Sequence, residues 1–281
     1  MFKIYYNFDI SEISYIKVGG KVKLYIVTDE INIIRKILKI NRNIKYIGNT
    51  SNIFFSFSYS DTIYIKYINN RFKIDNKVMV GSSLSIPFLI RKLLENNIGG
   101  FEKMIGIPAS VGGALINNAS SYFHSISDYL IEIIGMDING KINKILKDEI
   151  QFNYHNSSLR NRDFLIICAF LKIQNFNKLI CLENIDKVNK MRKKTQPHNK
   201  MTLGSIFVKD DRVIVPKILE ELGVKGKKRN KTIISYIHSN FFEVEKDENF
   251  ENITSLIEET NQLLYNKLGY YIDLEIERLK R

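Results

Sequence analysis

The alternation of apolar and polar residues along the chain has two periods, and together they mark out its elements. Residues 23–27 alternate as a strand does, whereas residues 30–40 space their isoleucines and leucine three and four apart, as in a helix capped by Thr28 or Asp29. Short apolar runs at 44–47 and 53–55 predict strands, with Gly48-Asn49-Thr50-Ser51-Asn52 between them as a turn. Residues 62–67, 72–74 and 78–80 read as successive strands, and Gly81 opens a turn into a helix over 85–96. Residues 130–136 and 141–145 form a hairpin across Asp137-Ile138-Asn139-Gly140, whose Asn-Gly pair is a strong turn signal. Residues 164–173 are apolar enough for a buried strand. Helical spacing returns over 185–194, over 213–222 up to Gly223, and over 253–268 up to Gly269, and 271–279 closes the chain as a strand. On that strand's alternation Asp273, Glu275 and Glu277 share one face.

One stretch breaks the rhythm. Residues 99–122 read GGFEKMIGIPASVGGALINNASSY and concentrate glycine, proline and small polar residues between apolar runs. Gly106, Gly112 and Gly113 permit close backbone approaches, and Pro108 stiffens the turn between them. Residues 109–117 have helical spacing, so the loop is expected to feed a helix start whose free N–H groups and dipole favour an anion. The turn at 48–52 offers backbone N–H groups and short hydroxyls of the same kind.

Composition narrows the class. The 281 residues are 44% hydrophobic and 26% charged, the balance of a globular protein. No run of about 18 apolar residues suggests a membrane span, and the first residues lack the apolar core of a secretory signal. A cytoplasmic protein is expected. The net charge of +12 raises nucleic-acid binding. The basic residues are scattered, however, and the clusters at 190–194 and 225–231 carry no interleaved aromatics, so no nucleic-acid partner is expected and the positive field suits an anionic nucleotide. Cys168 and Cys181 lie in apolar runs and are expected to be buried thiols. His124, His155, His198 and His238 make no ligand spacing, so no metal is expected.

The ordered motifs resemble those of the UDP-N-acetylenolpyruvoylglucosamine reductases, FAD enzymes of peptidoglycan precursor synthesis. Gly100-Phe101-Glu102, Gly106-Ile107-Pro108, Val111-Gly112-Gly113 and Asn118-Ala119 with Tyr122 stand in register with the family's central pattern, with Ala109 and Ser120 in place of two glycines. Val18-Gly19-Gly20 and Gly48-Asn49-Thr50-Ser51-Asn52 match earlier motifs, with Thr50 where the family has glycine. Phe152-Asn153-Tyr154-His155-Asn156-Ser157 resembles the family's F-G-Y-R-x-S, with His155 at the arginine position. Arg192 to Pro197 resembles R-x-x-x-Q-P, Gly204-Ser205-Ile206-Phe207 resembles G-S-hydrophobic-F, and Ser235 to Phe241 fits S-x-x-H-x-N-F. Val208-Lys209-Asp210 departs from the family's K-x-P. Asp273-Leu274-Glu275 resembles the acidic pair of the last motif.

The resemblance covers nearly the whole chain and implies an α+β flavoprotein of the shorter family type. It places a two-lobed FAD-binding domain of the vanillyl-alcohol-oxidase type in residues 1–70 and 71–175, followed by a smaller substrate-binding domain in 176–281. It implies NADPH as hydride donor, a UDP-sugar substrate, a monomer, and no Rossmann nicotinamide domain. FAD would be bound by Gly48, Asn49, Thr50, Ser51, Asn52, Gly106, Ile107, Pro108, Val111, Gly112, Gly113 and Asn118. Substrate would meet Tyr154, Arg192, Gln196, Lys209, His238 and Asn240. Ser205 would donate the proton, Glu275 would be the catalytic carboxylate, and His155, with Arg160 or Arg162 in reach of the same loop, would stand in for the arginine. Two other readings fit the same residues: a flavin oxidoreductase of this fold acting on another substrate, and a decayed FAD-binding protein.

Overall fold

The computed structural model describes residues 1–160, 164–174 and 176–280, so Arg162 lies outside the described residues. The fold is α+β, with helices packed on largely antiparallel sheets. The chain divides into two compact units, the first comprising residues 1–6, 24–49 and 61–190, the second residues 7–23, 50–60 and 191–281.

In the first unit the central sheet has five antiparallel strands, in the order Ile142–Leu146, Leu130–Met136, Leu165–Leu171, Val78–Gly81 and Phe72–Ile74. Its outer hairpin turns as the sequence predicts: Gly140 has φ of 76°, and Asp137 Oδ1 accepts from the N–H groups of Asn139 and Lys141. Helix α1, Ile31–Ile40, buries Ile34 and Leu38 with Ile26, Ile63, Ile65, Met136 and Leu165. The expected cap differs in detail, since Glu30 holds the cap position and the Thr28 hydroxyl accepts from its N–H. Helix α2, Ile86–Glu95, starts at Ser85, whose hydroxyl accepts from Phe88 N–H, and it buries Ile86, Leu89, Ile90, Leu93 and Leu94 in the largest core. Helix α3, Val111–Ile116, packs Val111, Ala114 and Leu115 into the same core.

The second unit is built on a three-stranded antiparallel sheet, Lys228–Arg229, Thr232–Ile234 and Phe242–Val244, covered by the 19-residue helix Phe250–Leu268. That helix ends where the sequence placed its stop, with Gly269 at φ of 82°. The strand Ile53–Phe55 pairs in parallel with Glu277–Leu279, and Phe54, Ile16 and Val18 enter this unit's core. That pairing explains why segments 7–23 and 50–60 cluster with the C-terminal third of the chain. The expected segmentation 1–70, 71–175 and 176–281 cuts the chain into continuous stretches, whereas each compact unit gathers three separate ones.

Three elements depart from expectation. The helix predicted over 185–194 runs over Lys178–Thr195. The closing strand is confined to Glu277–Leu279, so Asp273 and Glu275 do not share a strand face with Glu277. A strand at Phe2–Asp9, exposed at almost every position, carries no alternation that could have announced it. Cys168 and Cys181 are free and buried, as expected, and burial pushes the Cys181 thiol up to about 12. Among the described residues no helix is long and apolar enough to cross a membrane.

Candidate functional site

In the first unit the two glycine-bearing loops meet. A Cβ on Gly48 would collide with the Ser110 hydroxyl, and Asn49 Nδ2 donates to Pro108 O at 3.2 Å. Ser110 caps α3 by accepting from Gly113 N–H. The rest of that helix start is occupied by protein: Val111 N–H donates to Leu84 O and Gly112 N–H to Ser82 O. The expectation of free donors at the α3 N-terminus is therefore corrected. The turn after Gly81 lays its carbonyls against the helix start, and Gly112 is the residue that lets Ser82 approach. Gly106 and Ile107 remain half-buried in the same loop, and Pro108 is exposed.

Glu102, whose role the sequence left open, is buried and accepts from Gly100 N–H at 2.8 Å, while the Tyr129 hydroxyl donates to Gly100 O. This pair fixes the entry to the loop. At its exit Asn118 is 5% exposed, with φ of 42°, and its Nδ2 donates to Asn153 O at 2.8 Å. The other end of that amide, Oδ1, is buried without a hydrogen-bond partner, and so is Asn117 Oδ1. Buried acceptors left in this state are costly in a finished protein and are usual where a ligand completes the site.

The short hairpin Phe152–Asn153 and Asn156–Ser157 packs beside α3, with Ser157 Oγ donating to Ile116 O. At its tip Tyr154 is exposed and His155 adopts φ of 49°, their rings 4.2 Å apart. His155 Nε2 lies 2.9 Å from Ser120 Oγ. Arg160 Nη2, on the same loop, is buried and lacks a hydrogen-bond partner.

In the second unit the structure brings Ser205, His238, Asn240 and Glu275 to one place. The segment through Ser205 and Phe207 is bridged on one side to Phe241 and on the other to Leu274. Ile206 N–H donates to Asn240 O, and Glu275 N–H donates to Ile206 O. Asn52 ties in from the early turn, with Nδ2 donating to Glu275 O at 3.2 Å and its own carbonyl accepting from Glu277 N–H at 2.8 Å. Ser205 and Glu275 are thus fixed by main-chain bonds on adjoining segments, both half-buried.

The Asn240 side chain is bonded to the main chain of the Ser205 segment. It is 3% exposed, its Oδ1 accepts from Phe207 N–H at 3.0 Å and its Nδ2 donates to Phe207 O at 2.9 Å. These two bonds tie the Asn240 amide to the Phe207 peptide groups and so brace the segment that carries Ser205. His238 Nδ1 accepts from Asn240 N–H at 3.2 Å, and the ring lies 4.5 Å from Phe241. Burial, reinforced by Lys225, holds the His238 pKa below its ordinary value.

Thr50 stands where the family pattern has glycine. It occupies a left-handed conformation, φ of 56°, where glycine would be free of strain. Its buried hydroxyl accepts from Tyr15 N–H at 2.9 Å and donates to Ile13 O at 3.1 Å, bonds that glycine could not make. Among the described residues the backbone N–H groups of Thr50, Ser51 and Asn52 have no protein partner.

The remaining expected substrate residues sit at the edge of this unit. Arg192 and Gln196 are half-buried at the end of helix Lys178–Thr195, with Gln196 N–H donating to Arg192 O at 2.9 Å. Lys209 is exposed and 3.9 Å from Asp211. Beside it Arg212 pairs with Asp210 at 2.6 Å and lies 3.6 Å over the Tyr270 ring, and that guanidinium holds the Asp210 carboxyl down at about 2. Sequence reasoning missed Ser110, Tyr15 and Ile13, which act through a hydroxyl or backbone atoms and leave no mark in residue type.

A family model described as UDP-N-acetylenolpyruvoylglucosamine reductase, C-terminal domain, matches residues 196–279. The reductase of that name from Prochlorococcus marinus (strain NATL2A) is 30% identical over 205 residues, covering 72% of this chain and 69% of the relative. That from Aquifex aeolicus (strain VF5) is 28% identical over 285 residues, covering 98% and 94%. The crystal structure of the Thermus caldophilus enzyme superposes with a TM-score of 0.85 at 21% identity, covering 100% of this chain and 99% of that one, so the fold is the same. With a relative at this identity and coverage, and with its C-terminal model in place over the segment that carries Ser205, His238 and Glu275, the chain belongs to the UDP-N-acetylenolpyruvoylglucosamine reductase family.

Proposed function

We propose that this protein is the NADPH-dependent FAD enzyme that reduces the enolpyruvyl ether of UDP-N-acetylglucosamine to UDP-N-acetylmuramate, the step its family name describes. The observation that carries the reading is the placement of Ser205 beside Glu275 by main-chain bonds, with Asn52 holding the Glu275 carbonyl. By role, residues 1–70 and 71–175 form the FAD-binding lobes and 176–281 the substrate domain.

The residues present fit FAD. In the first unit Gly48 leaves room for the Ser110 hydroxyl where a Cβ would collide with it, and the buried Asn118 Oδ1 awaits a donor. In the second unit the main-chain donors of Thr50, Ser51 and Asn52 suit an anionic group. Gly48, Asn49, Thr50, Ser51, Asn52, Gly106, Ile107, Pro108, Gly112, Gly113 and Asn118 are proposed to hold the cofactor, with Val111 anchoring α3 from the core. A bound FAD would supply the hydride chemistry that links NADPH to the enolpyruvyl methylene carbon.

The chain's own groups manage charge and protons. Ser205 gives its hydroxyl proton to the carbon next to the carboxylate, which gains electron density as hydride arrives at its neighbour. Glu275 would stabilise the enol-like species as the catalytic carboxylate, and His155 would take the role of the family arginine toward the substrate carboxylate. Tyr154, Arg192, Gln196, Lys209, His238 and Asn240 are the proposed contacts to the UDP-sugar. The protein is proposed to work as a cytoplasmic monomer.

Anaerobic stopped-flow tests the reading. NADPH should bleach the flavin band, and the enolpyruvyl UDP-sugar should restore it. Ser205→Ala should slow the second phase by about 10² to 10⁴ and leave the first unchanged. A flavin that bleaches and never recovers with this sugar would refute the substrate assignment.

A further inference from the structure

Two positions at which the chain differs from the family pattern touch one another. Ser120 follows Asn118-Ala119, where the pattern has glycine, and His155 follows Tyr154, where it has arginine. Ser120 Oγ stands 2.9 Å from His155 Nε2, and both belong to the first unit. A glycine at 120 would offer this ring nothing.

The chemistry of the two ring systems explains why the contact matters. A guanidinium carries five donors in a rigid fork and keeps its charge, so it can meet a carboxylate from several orientations. An imidazole has two nitrogens, and its outer torsion is soft, so the direction and identity of its donor are set by whatever bonds the other nitrogen. His155 also sits at the tip of a two-residue turn, with φ of 49°. Tyr154 packs on one side of the ring at an interplanar angle of 54°. The Ser120 hydroxyl supplies a directional bond to the ring.

We propose that Ser120 is a positioning residue, which fixes the ring plane and nitrogen assignment of His155 so that the pair does together what one arginine does alone. The proposal rests on the reading that His155 meets the substrate carboxylate.

The test uses the holoenzyme and five variants: Ser120→Ala, Ser120→Thr, His155→Ala, His155→Arg and the double variant Ser120→Ala with His155→Arg. Two quantities are read: kcat/KM for the enolpyruvyl sugar, with flavin bleaching by NADPH as internal control, and the ring nitrogen shifts of His155 in long-range 1H–15N spectra. Ser120→Ala should lower kcat/KM about tenfold and move the His155 nitrogens toward the averaged values of an unrestrained ring, while Ser120→Thr should restore both. With arginine at 155, the cost of Ser120→Ala should shrink to under about twofold, because the coupled partner is gone. Equal costs in both backgrounds, or unmoved ring nitrogens, would overturn the role of Ser120 while a damaged His155→Ala leaves the reading of His155 standing. Wild-type kcat/KM in His155→Ala would overturn that reading and the role of Ser120 with it.

Discussion

The Ser205 region and the His155 region carry out their parts by different means. Around Ser205 the positions are set by backbone: bridges to Phe241 and Leu274, and main-chain bonds from Ile206 and Glu275. Around His155 they are set by side chains on residues with positive φ, Asn118 at 42° and His155 at 49°. The first region keeps its motif residues almost intact, whereas the second has replaced two of them. A backbone ladder holds a serine in place whatever its neighbours are. A side-chain network can be rebuilt only by pairs of changes, and Ser120 with His155 is such a pair.

The sharpest way to break the comparison is at Asn240, whose side chain bonds both main-chain groups of Phe207. Asn240→Ala leaves the buried Phe207 N–H and C=O unpaired and should destabilise the protein by about 2 to 5 kcal/mol in urea unfolding. A loss under about 1 kcal/mol would show that the ladder holds without it. Next is the close approach in the first unit. Gly48→Ala should weaken FAD binding by about 1 to 3 kcal/mol, read by flavin fluorescence titration, and adding Ser110→Ala should recover part of it by removing the colliding hydroxyl. An unchanged affinity would mean that the loop yields.

Thr50 sharpens the contrast, because it is a side-chain device inside the backbone-held unit. Thr50→Val keeps the branched shape and loses both hydrogen bonds, so it should cost about 1 to 3 kcal/mol. Thr50→Gly loses the same bonds but sheds the left-handed strain, worth about 1 to 2 kcal/mol, and should be close to neutral. Equal losses in both variants would show that strain plays no part. The smallest effect is at His238. Its folded pKa lies below the unfolded one, so the unfolded chain binds the proton more readily, and stability is full above about pH 6.5 and falls as pH drops toward the folded value. Chemical-denaturation midpoints should decline over that window, and His238→Gln should flatten the decline.

Much of this was legible beforehand where local chemistry and burial agree. Helices α2 and Phe250–Leu268 carry their caps, stops and apolar faces in their own residues. The Asn139-Gly140 turn and the buried cysteines read directly. The failures lie where long-range partners decide. Asp273 and Glu275 look like strand residues by alternation, yet only Glu277–Leu279 finds a partner strand, while Glu275 N–H goes to Ile206 O. The start of α3 looked like an anion site because the sequence cannot show Ser82 and Leu84 turning their carbonyls onto it. That Asn240 braces Phe207 is likewise invisible in the sequence, because the two residues are 33 positions apart.

The sequence alone determined the order of motifs, the residue types able to bind a nucleotide cofactor, and the elements whose apolar period is complete within one segment. Only the tertiary structure decided which donors are already spent, how Thr50 could replace a glycine, and that Ser120 meets His155. The reason is that periodicity and capping act over a few residues, whereas a hydrogen bond between positions 35 apart exists only once the sheet and hairpin between them have formed.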